Sequence, residues 1–308
     1  MYSLVTGGAG FIGSNLVDYL VSRGESVICI DNKSANNDKF YWNSDKVINI
    51  EADICNYKEL KNCFTNVKHV YHLAAESRLQ PAIENPIQAV YRNCVGTATV
   101  LQCAREAGVK RFIYSSTSSG YGNNPVPNVE TQPDDCLNPY SASKVAAEKF
   151  CKMYTNLYGL ETVVLRYFNV YGDRSPTKGQ YAPVIGIFQR QRDAGEPLTI
   201  VGDGSQRRDF VHVRDVARAN YLAAIMPLKG HAGEVFNVGS GNCVSVQDIA
   251  DAISDNQTYI PKRPGEMNVT YANISKIASV LGWMPEIDVL EWISPLRDLK
   301  WMKEDDRI

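Results

Sequence analysis

Tyr140 and Lys144 stand four residues apart in a segment whose pattern predicts a helix, a spacing that projects both side chains from one face. A free phenol titrates near about 10, so proton transfer at neutral pH needs a stabilised phenolate, which a neighbouring ammonium favours. The run Ser115-Ser116-Thr117-Ser118-Ser119 closes the strand expected before this helix. A hydroxyl there can bridge a substrate hydroxyl and the phenol, although a polar turn capping itself would use the same residue types. A second pair of the same spacing, Tyr57 and Lys61, falls on a surface helix between two strands, where lysine reads as a solvated charge.

These residues need a scaffold and a redox partner, and the first thirty-one residues supply the signal for both. Leu4-Val5-Thr6 reads as a buried strand running into Gly7-Gly8-Ala9-Gly10-Phe11-Ile12-Gly13, and residues 11–23 read as the helix that follows. Glycines let the backbone approach a pyrophosphate with no Cβ between them, and a helix N-terminus favours the phosphate charge. Gly24 suits the helix C-cap, residues 26–30 read as a second buried strand, and Asp31 at its tip suits the hydroxyls of an adenosine ribose. A carboxylate there disfavours a 2′-phosphate, so the order of signals predicts NAD.

The pattern continues with strands over 47–50, 67–74, 111–115 and 160–167, and with helices over 58–64, over 93–107 and from Tyr140 to a stop at Gly159. Such βαβ repetition predicts an α/β protein with a doubly wound parallel Rossmann sheet, whose carboxyl ends carry the ligands. Beyond Gly172, polar, Pro and Gly residues give way to a helix over 184–194 and a short strand over 198–201. A strand over 209–213 with its following helix, and a strand over 234–238, are expected to return to the first domain. The expected division is therefore residues 1–172, rejoined by about 209–240, for the dinucleotide, and 173–208 with 241–308 as a smaller interleaved C-terminal lobe for the substrate.

A chain of 308 residues, 44% hydrophobic, has the length for both units. A formal charge of −2 with no long basic run argues against nucleic acid, while Arg207-Arg208 and Lys262-Arg263 suit a small phosphorylated molecule. The eight cysteines form no Cys-x-x-Cys pair, and Cys29, Cys94, Cys103 and Cys151 sit in core-like segments as buried free thiols. Strand-forming sequence from residue 2, with no apolar run of membrane length, predicts a cytoplasmic protein without signal peptide or membrane span. His69, His72, His212 and His231 lack metal-ligand spacing and read as packing residues, so no metal is expected; Phe236, Trp283 and Trp292 likewise read as core or lobe packing.

Taken together, Gly7-Gly8-Ala9-Gly10-Phe11-Ile12-Gly13-Ser14, Asp53-Ile54, Leu73-Ala74-Ala75, Tyr114-Ser115-Ser116-Thr117, Tyr140-Ser-Ala-Ser-Lys144, Arg166-Tyr-Phe-Asn169-Val-Tyr-Gly172 and Arg208-Asp-Phe-Val-His-Val-Arg-Asp215 form a constellation covering nearly the whole chain. It resembles the extended short-chain dehydrogenase/reductases, and most of all the nucleoside-diphosphate-sugar 4-epimerases. The resemblance implies Thr117, Tyr140 and Lys144 as the catalytic set. It implies NAD contacts from Gly7, Gly10, Phe11, Ile12 and Gly13, from Asp31 and Asn32 at the ribose, and from Asp53 and Ile54 at the adenine. Leu73, Ala74, Ala75, Asn93, Ser115 and Tyr167 complete that cofactor set, together with Tyr140 and Lys144. Ser118 and Ser119 would touch the hexose of a UDP-sugar, Asn169 its nucleotide part, and Arg208 and Arg263 its diphosphate, with Glu266 and Thr270 also on the substrate side. A homodimer through the helices over 93–107 and 140–158 is a further implication.

The implied reaction oxidises the hexose at C4 to a ketone and reduces it from the other face, inverting C4 of UDP-glucose, UDP-galactose or their N-acetylated counterparts. Related 4,6-dehydratases carry Asp-Glu after the catalytic threonine, where Ser118-Ser119 stands here, whereas Glu76-Ser77-Arg78 is dehydratase-like. Thr270 occupies a position where epimerases confined to unacetylated hexoses carry a bulky Tyr, so it leaves space for an N-acetyl group. Other outcomes of the same C4 oxidation stay open, namely dehydration, uronate epimerisation or decarboxylation, and reduction, as does a non-catalytic NAD-sensing role.

Overall fold

Apolar residues on both faces of consecutive strands force those strands into the interior of a sheet covered by helices on each side. The computed structural model describes residues 1–34, 39–42, 46–177, 182–261 and 268–298. In it β1 (Tyr2–Thr6), β2 (Ser26–Asp31), β3 (Val47–Glu51), β4 (Val67–His72), β5 (Arg111–Thr117) and β6 (Glu161–Tyr167) join the later strand Val235–Val238 in one seven-stranded sheet. Its order is Val235–Val238, β6, β5, β4, β1, β2, β3, and every neighbouring pair is parallel.

The two-residue period of a strand sorts the core into two layers. Leu4, Ile28, Val70, Phe112 and Val164 point to one face, against Val100, Leu101 and Ala104 of helix Thr97–Glu106 and Ala147 and Cys151 of helix Pro139–Tyr158. Their neighbours Val5, Cys29, Tyr71, Ile113 and Leu165 point to the other, against Leu16 and Leu20 of helix Phe11–Ser22 and Val216 and Ala219 of helix Val213–Ile225. Chain order reverses between β1 and β4, which opens a crevice at the carboxyl edge of the sheet.

A separate apolar cluster, including Ile185, Phe188, Leu198, Ile200, Phe210, Ile249 and Ile253, lies beyond that edge. Short strand pairs frame it: Leu198–Val201 with Gln257–Ile260 in parallel, and Arg207–Arg208 with Val244–Ser245 antiparallel. Phe236 and Trp283 are fully buried beside the helix Val213–Ile225, and Trp292 packs on the separate cluster.

Several expected elements differ in detail. The strand expected over 209–213 does not enter the main sheet: Phe210–His212 pairs with Asn169–Tyr171, just past the end of β6. The helix that follows it packs on the sheet as expected, and Val235–Val238 takes the edge beside β6. The helix expected over 58–64 divides into an α-turn, Tyr57–Leu60, and a 3-10 turn, Lys61–Phe64. The one expected over 93–107 begins as a π-turn, Tyr91–Gly96, before the α-helix Thr97–Glu106. A Cβ on Gly96 would lie 2.5 Å from Ile54, so this widened turn presses close to the strand ends. The strand expected over 67–74 stops at His72, and two short helices, Leu79–Glu84 and Pro86–Val90, occupy a stretch for which no element was expected.

All eight cysteines are free; Cys29, Cys103 and Cys151 are buried, whereas Cys94 is half-buried. Among the described residues no helix is long and apolar enough to cross a membrane, and no group of three or more His, Cys, Asp or Glu is placed to hold a metal ion.

Candidate active site at the carboxyl edge of the sheet

The turn after β1 is built around backbone contacts that only glycine permits. Gly7 has φ +68°, and a Cβ there would lie 2.7 Å from the Ala74 nitrogen; one on Gly13 would lie 2.1 Å from the Gly7 carbonyl oxygen. Gly10 is the N-cap of helix Phe11–Ser22, with no side-chain cap and no acidic residue in the first turn. The uncapped N–H groups of that turn therefore face a crevice with the preference of a helix N-terminus for anions.

That crevice is a cavity of about 360 Å³. Gly7, Gly10, Phe11, Ile12 and Gly13 line one end of it, with Asp31 and Asn32 from the tip of β2 and Asp53 and Ile54 from beyond β3. Asp31 accepts hydrogen bonds from the Ala9 N–H at 3.1 Å and the Lys33 N–H at 2.8 Å. Burial raises its pKa while those bonds pull it down. Asn32 donates to Asp53 at 3.3 Å, so the two tips form one polar rim. Leu73, Ala74 and Ala75 line the middle, and Ser115, Thr117, Tyr140, Lys144 and Tyr167 the far end.

A glycine cradle, an uncapped helix start and an acidic strand tip fit a dinucleotide with a free ribose 2′-hydroxyl, so these residues suit NAD. Ser115 Oγ and the Tyr167 hydroxyl hydrogen-bond at 2.8 Å, and Tyr167 is held in turn by Asn220 at 2.7 Å.

The reactive end is assembled from β5 and the long helix. Asn138 caps that helix by accepting from the Ser141 N–H at 2.9 Å, and Pro139 occupies its first turn, which sets Tyr140 beside the end of β5. Thr117 and Tyr140 line the same end of the cavity. Lys144 is only 4% exposed, with Nζ 4.5 Å from the centre of the Tyr114 ring. Burial lowers its ammonium to about 8, against the pull of Glu148. In the protein alone burial also raises the Tyr140 phenol, with Thr117 acting downward and Glu76 upward. The lowering expected from the sequence is thus outweighed here by desolvation. Tyr57 is paired with Glu106 at 2.5 Å on the surface, away from the crevice.

Some expected site residues stand behind the walls. Asn93 is buried; it accepts from the Glu76 N–H at 2.7 Å and donates to the Glu76 carbonyl at 3.1 Å and to Ser143 at 2.9 Å. It shapes the loop after β4 without lining the cavity. Ser118 and Ser119 lie in the 3-10 turn Ser118–Tyr121, half-buried and outside the cavity lining, the Ser119 N–H donating to Thr117 Oγ1 at 3.1 Å. Asn169 and Arg208 line a second cavity of about 230 Å³, together with Phe188, Thr199, Gln206 and Phe210. Thr270 lines neither cavity: it is buried, and its hydroxyl accepts from Asn169 at 3.1 Å and from the Asp209 N–H at 3.3 Å. Arg263 and Glu266 lie outside the described residues.

Residues missed by the sequence reading also line the first cavity, among them Arg78, Arg92, Ser116, Val170, Pro176 and Pro183. Arg92 is tied to Glu76 at 2.9 Å. Ser116 carried a signal as part of the hydroxyl run, and Arg78 and Val170 stood inside motifs read from the sequence without being assigned to the site.

The NAD dependent epimerase/dehydratase family model matches residues 3–239. A UDP-glucose 4-epimerase of Mycolicibacterium smegmatis is 36% identical over 307 residues, covering 96% of this chain and 96% of that protein. A UDP-glucuronate 4-epimerase of Thermodesulfobacterium geofontis is 34% identical over 326 residues, covering 99% and 97%. The crystal structure of a UDP-glucose 4-epimerase with UDP-glucose, from Thermotoga maritima, aligns with a TM-score of 0.89 at 33% identity, over 97% of this chain and 98% of that one. On the glycine cradle, the hydroxyl–phenol pair beside a buried lysine and these full-length matches, the chain belongs to the NAD-dependent epimerase/dehydratase family.

Proposed function

We propose that this protein inverts C4 of a UDP-hexose, taking UDP-glucose and UDP-galactose or their N-acetylated counterparts, through a transient 4-keto sugar. The observation that carries this reading is the convergence of Thr117, Tyr140 and the buried Lys144 on the lining of one crevice that fits a dinucleotide. NAD, when bound, supplies the two-electron oxidant for C4 and returns the same electrons. Tyr140 takes the proton of the C4 hydroxyl and gives it back, Thr117 bridges the hydroxyl and the phenol, and the Lys144 ammonium favours the phenolate. Asn169 and Arg208, with Arg263, hold the nucleotide and diphosphate, and Glu266 and Thr270 complete the substrate side; guanidinium forks match phosphate oxygens. Holding the nucleotide firmly and the hexose loosely lets the keto sugar present its other face. Ser118-Ser119 gives no acid at the place where dehydration would need one.

The same reading assigns residues 1–172, with about 209–240, to the cofactor and the remainder to the substrate, and places the protein in the cytoplasm as a homodimer. The dimer reading is supported by exposed apolar residues on segments that pack together: Ile83, Ile87, Val90, Tyr91 and Val95 before helix Thr97–Glu106, and Met153 and Leu157 on the long helix, with Ile87 82% and Leu157 65% exposed. Such a patch on a water-soluble surface marks a contact.

Incubation with UDP-glucose, UDP-GlcNAc and UDP-glucuronate, followed by NMR of the products, tests the activity. C4 epimers of UDP-glucose or UDP-GlcNAc with no net NADH are expected. Loss of water or carbon dioxide, net NADH, or no change in any sugar would overturn the assignment.

A further inference from the structure

Behind the reactive end lies a buried ionic cluster that the proposed reaction leaves without a role. Glu148 is 3% exposed and Arg166 2%. Arg166 donates from Nε to Glu148 Oε1 at 2.8 Å and from Nη2 to Glu148 Oε2 at 2.7 Å, and it also reaches Asp134 at 2.6 Å. Its guanidinium carbon lies 4.6 Å from the centre of the Tyr121 ring, and Asp134 is paired outward with Lys149 at 2.7 Å. The remaining partner of Glu148 is Ser116, whose hydroxyl donates to Oε1 at 2.5 Å and which lies in β5 between the cavity-lining residues Ser115 and Thr117.

Glu148 also sits one helical turn after Lys144, so their side chains share a face. The other titratable groups acting on Lys144 are Cys151 of its own helix, Tyr114 of β5, His72 of β4 and Cys94 of the π-turn, and Tyr140 lies one helical turn before it. Burial holds His72 neutral and keeps both thiols protonated, so none of the three supplies a counter-charge at neutral pH. A lysine kept from water needs such a charge to stay an ammonium.

We propose that Glu148 is a positioning residue: shared between Arg166 and Lys144, its carboxylate keeps the buried lysine charged, and through Ser116 it fixes the strand end that carries Thr117. Arg166 is bonded to that carboxylate directly and Lys144 lies one helical turn before it, while Asp134 accepts the second hydrogen of Arg166 Nη2. The assignment rests on the epimerase reading for what Lys144 does, while the charge relationship stands on the packing.

The test follows Lys144 directly, by NMR titration of protein labelled at lysine 13Cε, with the signal identified by its loss in Lys144→Met, alongside the pH dependence of UDP-galactose conversion. Glu148→Gln leaves Arg166 in place and is expected to lower the Lys144 midpoint by about one pH unit, with the alkaline limb of kcat moving equally and KM changing less than about twofold. A single uncompensated charge threatens folding, so the double variant Glu148→Leu with Arg166→Met, which removes the whole pair, is measured in parallel. A smaller fall, about half a unit, is expected there because a cation leaves with the anion. A purely structural role moves stability but neither the midpoint nor the limb. An unchanged Lys144 midpoint in a folded variant overturns the proposal. A wild-type protein inactive on every UDP-sugar defeats the epimerase reading instead, and the titration then decides the charge assignment by itself.

Discussion

Thr6 and His72 meet inside the sheet, hydroxyl to Nδ1 at 2.7 Å, across the parallel strands β1 and β4, and the far nitrogen of the same ring reaches Thr97 at 3.0 Å. The Ala74 N–H also donates to the Thr6 hydroxyl at 3.3 Å, so the middle of the crevice wall rests on this bridge. Burial lowers the His72 pKa to about 3, and the ring is neutral.

Acid should therefore weaken the fold through His72. An unfolded histidine binds its proton near about 6.5, whereas the native ring does so only near 3, so the unfolded chain holds more protons in between. The stability linked to this group is fully present above the unfolded value and is lost as pH falls toward the native one, at up to about 1.4 kcal/mol per pH unit. Replacing His72→Leu leaves Thr6 and Thr97 without their partner, for a cost of about 1–3 kcal/mol at pH 8, and should flatten the acid slope. Urea unfolding of both proteins from pH 8 to 4 measures the difference. The comparison separates His72 from groups of opposite sign such as Asp209, whose carboxylate burial raises to about 6.

The two ends of the first helix respond differently to one added methyl group. Gly13→Ala places a carbon against the backbone of Gly7 and Gly8, which cannot yield locally, so loss of bound NAD and of more than about 3 kcal/mol of stability is expected. Gly24 has φ +81° but open space around it, and Gly24→Ala should cost about 1 kcal/mol with cofactor content unchanged. NAD released on denaturation, read with melting curves, distinguishes the two.

Proton transfer gives the sharpest kinetic expectation. Tyr140→Phe removes the transferring hydroxyl and should lower kcat by about 10²–10⁴-fold with NAD still bound. Thr117→Val loses only the bridge and should cost less than Tyr140→Phe, with Thr117→Ser recovering most of the loss. Near-normal turnover in Tyr140→Phe would rule out its role.

The exposed apolar residues predict assembly. Ile87→Asp combined with Leu157→Asp puts charge at the most exposed of them and should convert a dimer to monomers while leaving the melting of the single chain intact. Sedimentation at micromolar concentration decides; an unchanged mass in both proteins removes the dimer reading.

The central sheet could be read from the sequence because most of its strands are apolar runs, and β1, β2 and β5 lead into Gly, Asp or Ser signals. The cofactor wall was legible too, since it is contributed by short segments at those strand ends. What was hidden depends on contacts distant in the chain. Strand pairs of two to four residues, such as Arg207–Arg208 with Val244–Ser245, leave no periodicity to detect. The π-turn Tyr91–Gly96 differs from an α-helix by one residue of hydrogen-bond register, which a pattern of apolar spacing does not resolve. Pro176 and Pro183 line the cavity although neither stands at the end of a sheet strand. Glu148 is one acid of a long helix in the sequence, and what sets it apart is Arg166, eighteen residues on, which faces it only in the fold.

The reversal of strand order beside β1 has an evolutionary corollary. Cradle, acidic rim and supporting bridge belong to the first hundred residues, whereas the second cavity is furnished by segments from Asn169 onward. Among the described residues, only Val170 and Pro183 line both cavities. Drift in the later segments can therefore exchange one sugar nucleotide for another while the redox apparatus passes unaltered from ancestor to descendant.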